Sequence, residues 1–253
     1  MQIDSYEPGT PSWVDLGSPD PATAAAFYSG LFGWSLVDQG PEAGGYRMAY
    51  LRDRPVAGIG PQQQPDQPPY WTTYITVSDV DSMAKGVRAA GGHVYMEPTD
   101  VFDVGRMAVF ADPTRASFAV WQPRSHIGAG LVNEPGAMCW TELDTRDPAA
   151  AKVFYPATLG WSAADQQIDG VDYTEWKLGD RTVAGMMPMD DRWPAEIPSR
   201  WMVYFAVADT DAAAARAEEL GGTVTVPPTD IPPGRFAVLR DPHDAIFSII
   251  AMA

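Results

Sequence analysis

The sequence predicts an α+β fold made of two tandem copies of one domain, and three observations carry that prediction. The first is a repeat. PSWVDLGSPDPATAAAFYSGLFGW, from Pro11 to Trp34, returns as AMCWTELDTRDPAAAKVFYPATLGW, from Ala137 to Trp161. Trp13/Trp140, Asp15/Glu142, Asp20/Asp147, Phe27/Phe154, Tyr28/Tyr155 and Trp34/Trp161 all lie 127 residues apart. The second is that the match runs to the end of each copy. The offset becomes 130 at Trp71/Trp201 and 129 at Gly105/Gly234, so length changes fall between elements, where loops tolerate them. The third is that each copy reads as the same β-α-β-β-β order twice over. The domains are therefore expected at residues 1–124 and 137–253, joined by a Gly- and Pro-rich linker at 125–136.

Each element has a local reason. Ser12 to Leu16 alternates as a strand. Asp20 and Pro21 then read as an N-cap and first helical residue, with Ala24, Phe27, Tyr28 and Leu31 at the i, i+3, i+4, i+7 spacing of one apolar face. Strands follow at Trp34–Val37, Tyr46–Leu51 and Val56–Ile59, separated by the turn sequences GPEAGG and RDRP. Pro61 to Pro69 reads as a linker. The second module has a strand from Trp71, a helix capped by Asp79 and closed by Gly91 and Gly92, and three more strands whose last turn is Asp112-Pro113. In the second copy, Pro156 stands where the first has Ser29, so its helix is expected to kink or end there.

Composition excludes some functions. With 33 acidic against 17 basic residues and a net charge of −16, the chain is a poor partner for nucleic acid or an anionic membrane. No apolar run approaches the roughly 20 residues that span a bilayer, and MQIDSYEPGT has none of the marks of a signal peptide, so a cytoplasmic protein is expected. The single cysteine, Cys139, rules out an internal disulfide framework and reads as a small buried hydrophobe beside Trp140.

Paired β-α-β-β-β modules carrying "DP…FY…LFGW", then "D…A…AAGG" and a "DP" hairpin, resemble the vicinal oxygen chelate superfamily: glyoxalase I, bleomycin and fosfomycin resistance proteins, and extradiol dioxygenases. The resemblance covers nearly the whole chain and implies two glyoxalase-like domains, each a mostly antiparallel sheet curled around a cup. In the metal enzymes of that group four strands place His, Glu or Gln ligands in the cup. The matching positions here are Trp13 and Trp140, Gly58 and Gly185, Tyr74 and Tyr204, and Ala119 and Ser248. An indole has no lone pair to give, Gly and Ala offer nothing, and neutral Tyr or Ser are poor ligands. No metal and no cofactor are therefore expected. A register slip of two reaches Asp15, Glu142, Thr76 and Ala206, still without histidine.

Asp15 and Glu142 share a strand face with the tryptophans two residues before them. In an aromatic cup each is a candidate acid or base, its pKa raised by burial. The alternative is a structural carboxylate bonded to backbone or to Arg106 or Arg235. Trp13, Tyr74, Trp140 and Tyr204, with Ser248, are candidate ligand-binding residues for a flat guest, or core filling. Trp34 and Trp161 read as packing anchors, and Trp71 and Trp201 as seals of the contact between copies. His93, His126 and His243 lack duplicate partners and are not expected to be catalytic. Glu175 and Lys177 replace Met48 and Tyr50, so the two cups should differ in polarity.

The function expected is metal-independent binding of a small, aromatic or conjugated metabolite, in a tailoring or resistance role. The alternative is an isomerase, lyase or hydroxylase-like enzyme using Asp15 or Glu142, or a metal-dependent glyoxalase or dioxygenase with other ligands. A monomer or homodimer is expected, since fused copies can form the pseudo-dimer within one chain.

Overall fold

The computed structural model describes residues 1–64, 67–168 and 170–253. Pro65 and Asp66, within the expected linker at Pro61–Pro69, lie outside the described residues. The first copy runs β1 (Pro11–Ser18), α1 (Pro21–Phe32), β2 (Ser35–Asp38), β3 (Arg47–Leu51), β4 (Arg54–Pro61), β5 (Tyr70–Thr76), α2 (Val80–Ala89), β6 (His93–Val101), β7 (Gly105–Ala111) and β8 (Ser117–Pro123). The second runs β9 (Met138–Thr145), α3 (Pro148–Leu159), β10 (Ser162–Ile168), β11 (Val171–Leu178), β12 (Arg181–Pro188), β13 (Arg200–Ala206), α4 (Thr210–Glu219), β14 (Thr223–Ile231), β15 (Gly234–Arg240) and β16 (Ile246–Met252). Each copy folds as one eight-stranded sheet, in the orders β2-β3-β4-β1-β5-β8-β7-β6 and β10-β11-β12-β9-β13-β16-β15-β14. The two orders are the same when renumbered, so the duplication seen in sequence is a duplication of topology.

Helix ends follow the capping signals. Asp20 accepts the N–H groups of Ala22 and Thr23, and Asp79 those of Asp81 and Ser82. Gly33 and Gly160 close α1 and α3 at φ 73° and 70°, a left-handed conformation that glycine adopts without penalty. Helix α3 does not end at Pro156 but continues to Leu159. Buried Phe154, Tyr155 and Leu159 hold it on both sides of the proline, and the Thr158 hydroxyl donates to the Phe154 carbonyl. Packing here outweighs the lost backbone bond.

The hydrophobic cores are shared between the copies. One joins α1 and β1 of the first copy to Phe205, Ala214, Leu239 and Phe247 of the second; the other joins Phe110, Phe118 and Val87 to Phe154, Tyr155, Trp161 and Trp176. Each is thus built from the leading module of one copy and the trailing module of the other. Matching hydrogen bonds lock both. Trp71 Nε1 donates to the Tyr28 hydroxyl, which donates to Asp241 at 3.3 Å; Trp201 Nε1 donates to Tyr155, which donates to Asp112 at 3.1 Å. Trp34 and Trp161 donate to the carbonyls of Gly136 and Gly9, tying each copy to the segment leading into the other. The four tryptophans therefore anchor the contact between copies, and the Asp-Pro turns at Asp112 and Asp241 serve it as well. No described helix is long and apolar enough to cross a membrane.

Candidate functional site

The sheet face turned away from the helices carries the candidate residues, because side chains alternate along a strand and a single register fixes which face each takes. In the first copy Trp13 pairs with Tyr74, which pairs with Ala119 on β8, and Asp15 pairs with Gly58. In the second copy Trp140 pairs with Tyr204, Tyr204 with Ser248, and Glu142 with Gly185. All five sequence-predicted ligand-binding residues and both carboxylates thus meet on the inner faces of their respective cups.

A second pair of tyrosines completes both sites, and the sequence reading missed it. Trp13 Nε1 donates to the Tyr46 hydroxyl at 3.2 Å, and Asp15 Oδ2 accepts from Tyr74 at 2.8 Å and from Tyr46 at 3.4 Å. The same set recurs as Trp140 Nε1 to Tyr173 at 3.0 Å and Tyr204 to Glu142 at 2.9 Å. A Cβ added at Gly58 would lie 1.7 Å from the Tyr46 hydroxyl, and one at Gly185 would lie 1.9 Å from that of Tyr173. The phenol of the neighbouring strand therefore takes the space in which a side chain from the fourth strand would begin. Tyr46 and Tyr173 are themselves 127 apart, which was the signal available in the sequence.

The carboxylates are bonded to phenols, so the expected structural pairing with Arg106 or Arg235 does not occur. Arg106 instead pairs with Asp81 and Asp100, and Arg235 with Asp211 and Asp230. Burial pushes the Asp15 carboxyl up to about 6, against hydrogen bonds from Tyr74, Thr72 and Tyr46 that pull the other way. Glu142, 5% exposed, is likewise raised above its ordinary value, first by burial and then by the neighbouring charge of Asp144. Asp144, also raised by burial, is held against this by Arg200, whose Nε stands 3.1 Å from its Oδ2. The first copy has Gly17 and Tyr70 at the corresponding positions, so this ion pair belongs to the second cup alone. Glu175 and Lys177 share the strand face of Tyr173 and pair with each other, which makes the second cup the more polar one.

The cups also differ in what fills them. In the first, the His126 ring lies 4.8 Å from that of Trp13, edge to face, and 5.7 Å from that of Trp121. Its pKa is lowered to about 4 by burial, so it is a neutral packing group. The expected linker thus contributes a side chain to the first cup. In the second, the position of Trp121 is taken by Ile250, and the Ser248 hydroxyl is buried with no partner among the described residues. Cys139 is half-buried, its thiol pushed up to about 12 by burial, which keeps it from acting as a nucleophile. His93 and His243 stand outside both networks.

Comparison with known proteins agrees with this architecture. Residues 10–120 match the model of the Glyoxalase/Bleomycin resistance protein/Dioxygenase superfamily, and residues 140–250 match that of the glyoxalase-like domain. The chain is 44% identical over 262 residues to the anthracycline biosynthesis protein DnrV of Streptomyces peucetius, covering 98% of this chain and 94% of that protein. It is 46% identical over 257 residues to CFP32 of Mycobacterium tuberculosis, covering 98% and 97%. Among solved structures it is similar to the Mn(II)-bound glyoxalase from Novosphingobium aromaticivorans, with TM-score 0.67, 16% identity and coverage of 96% and 82%. The 2,2',3-trihydroxybiphenyl 1,2-dioxygenase of Sphingomonas wittichii RW1 gives 0.66, 11%, 97% and 91%. The chain belongs to the glyoxalase/bleomycin resistance/dioxygenase superfamily, as a tandem two-domain member.

The Mn(II) of the Novosphingobium glyoxalase makes the donor set here a point of chemistry. Each Trp–Tyr–carboxylate–Tyr network offers one carboxylate, two phenols whose pKa values burial raises, an indole and a glycine, and the further carboxylates of the second cup, Asp144 and Glu175, are paired with Arg200 and Lys177. Phenols held that firmly protonated donate hydrogen bonds to the carboxylate and do not ligate. Among the described residues no group of three His, Cys, Asp or Glu converges. These residues do not fit a divalent ion.

Proposed function

We propose that this protein binds a compact aromatic or conjugated organic metabolite without a metal ion, in a tailoring or resistance role, and that the second copy supplies the binding cup. The observation that carries this reading is the Trp–Tyr–carboxylate–Tyr network, whose phenols occupy the space beside Gly58 and Gly185. Indole and phenol walls suit a flat guest. In the second cup Ser248 adds a buried hydroxyl with no described partner, and Glu142 and Arg200 add polar selectivity. Similarity to a protein named for anthracycline biosynthesis supports an aromatic guest. Calorimetric titration with a panel of hydroxylated aromatics tests it, alongside elemental analysis of the purified protein. The expected result is one guest per chain, with an affinity unchanged by chelator. Stoichiometric manganese, iron, nickel or zinc in the protein sinks the metal-free reading.

One observation favours a catalytic variant of the same site. Glu142, buried and raised in pKa, accepts from Tyr204 and can hold or release a proton near neutral pH, as a general acid or base must. Turnover of a bound metabolite that Glu142→Gln abolishes, with affinity retained, is the result this variant requires.

A further inference from the structure

The two sheets differ at one place that the duplication predicts to be equal. Strands β1 and β4 pair in parallel from Asp15 and Gly58 onward, and β9 and β12 from Glu142 and Gly185; ahead of those residues each pair diverges and leaves a gap. In the first copy the gap is closed by the segment between the copies. Ala129 N–H donates to the Ser12 carbonyl at 2.7 Å and Gly130 N–H to the Pro55 carbonyl at 2.8 Å, while His126 sets its ring against Trp13. The fit is tight: a Cβ on Gly128, at φ 110°, would stand 2.5 Å from the Ser12 oxygen.

In the second copy the counterparts of those carbonyls belong to Cys139 and Thr182, and by the 127-residue offset Gln2 and Ile3 are the counterparts of Ala129 and Gly130. The internal symmetry holds at Gly9 and Gly136, which take equivalent bonds from Trp161 and Trp34, and it fails further out. Ile3 N–H turns to the Gly130 carbonyl, and among the described residues no loop N–H or side chain donates to Cys139 O or Thr182 O. A cavity of about 230 Å³ stands there, with Trp140, Met138, Cys139 and Thr182 in its wall. Thr141, also in the wall, replaces Val14 of the first copy; it is 2% exposed and its hydroxyl has no described partner.

We infer that this gap between β9 and β12 is a binding site for a small dihydroxylated aromatic molecule, and that it is where a guest engages the second cup. The filled gap of the first copy serves as the template. Two adjacent N–H donors there become two hydroxyl donors to Cys139 O and Thr182 O, and the imidazole on Trp13 becomes the guest's ring against Trp140. An aromatic edge meets the indole face favourably, and each half-buried carbonyl that receives a hydroxyl gains a hydrogen bond. The volume lies below the roughly 300–1,000 Å³ of sites for drug-sized ligands, which limits the guest to about two fused rings or to one end of a larger molecule. The inference rests on the reading that the second copy binds an aromatic, and it adds the location and the donor pattern.

The test uses naphthoresorcinol and its dimethyl ether as probes of the full-length protein, by calorimetry and by methyl spectra of protein labelled at methionine. The expected result is one-to-one binding, at least about tenfold weaker for the ether, which cannot donate. The methyl of Met138, in the gap, should shift while that of Met202, deeper in the cup, stays still. Val183→Phe, which enlarges a residue of the cavity wall, should weaken binding at least about tenfold in a variant whose circular dichroism matches the parent. Should Val183→Phe misfold, the methionine shifts decide alone. A shift at Met202 without one at Met138 overturns the gap site and leaves the cup reading intact. No binding of naphthoresorcinol at millimolar concentration, or equal binding of the ether, overturns the donor pattern.

Discussion

The two cups began as one sequence and now differ in what fills them and in charge. In the first, Trp13 is 5% exposed behind His126 and Trp121, Asp15 is the lone carboxylate of the network among the described residues, and the strand gap is sealed by Ala129 and Gly130. In the second, Trp140 is only half-buried, Glu142 has Asp144 and Arg200 beside it, and the gap is open. The Trp–Tyr–carboxylate–Tyr network is common to both. What differs is access and charge. A duplicated domain can close one copy for stability and leave the other free to diverge, since the shared cores transmit the stability of the first to the second.

The sharpest way to break this comparison is to unseal the first cup. Trp121→Ala removes a side chain 6% exposed that fills the space over Gly105, and Trp-to-Ala changes in cores cost about 3–5 kcal/mol. Chemical denaturation should show that loss, while Ile250→Ala at the corresponding place should cost visibly less. Equal costs would mean that the first cup is no better packed than the second.

Next in size is the ion pair that only the second cup has. Arg200→Met leaves Asp144, 2% exposed, without its partner, and breaking a buried pair from one side costs about 3 kcal/mol or more. Adding Asp144→Asn should return much of it, because the penalty is that of an unpaired charge. If the double variant is as unstable as Arg200→Met, the pair's contribution is packing and not charge.

Much of this fold was legible in the chain. Each helix has its Asp cap and its glycine stop within reach of local reasoning, and the 127-residue offset places Trp13, Asp15 and their partners on one face before any coordinate is known. What could not be read is what depends on distant segments meeting. The cores join a module of one copy to the opposite module of the other, so Tyr28 finds Asp241 across 213 residues. His126 looks like linker because its partners, Trp13 and Trp121, are brought to it only by β1 and β8. Asp144 and Arg200 escaped notice because the repeat drew attention to residues that are equal, and this pair exists where the copies differ. Pro156 shows the same limit from the other side, a local rule overridden by burial.

The smaller test is a pH dependence. Burial raises the Asp15 carboxyl from 3.8 to about 6, so the folded protein holds that proton more tightly than the unfolded chain. Stability from this group is greatest below pH 3.8, falls as pH rises towards 6, and is fully lost above it. Asp15→Asn keeps an acceptor for Tyr74 and removes the charge, so it should stabilise the protein by about 1–2 kcal/mol above pH 6 and by almost nothing near pH 4. Glu142→Gln should act in the same direction and over a range reaching higher in pH, because the charge of Asp144 adds to burial there. Thermal unfolding of the two variants and the parent from pH 4 to 8 gives both curves. Coincident curves would mean that Asp144 and Arg200 cancel each other at Glu142, and that the two cups share their electrostatics after all.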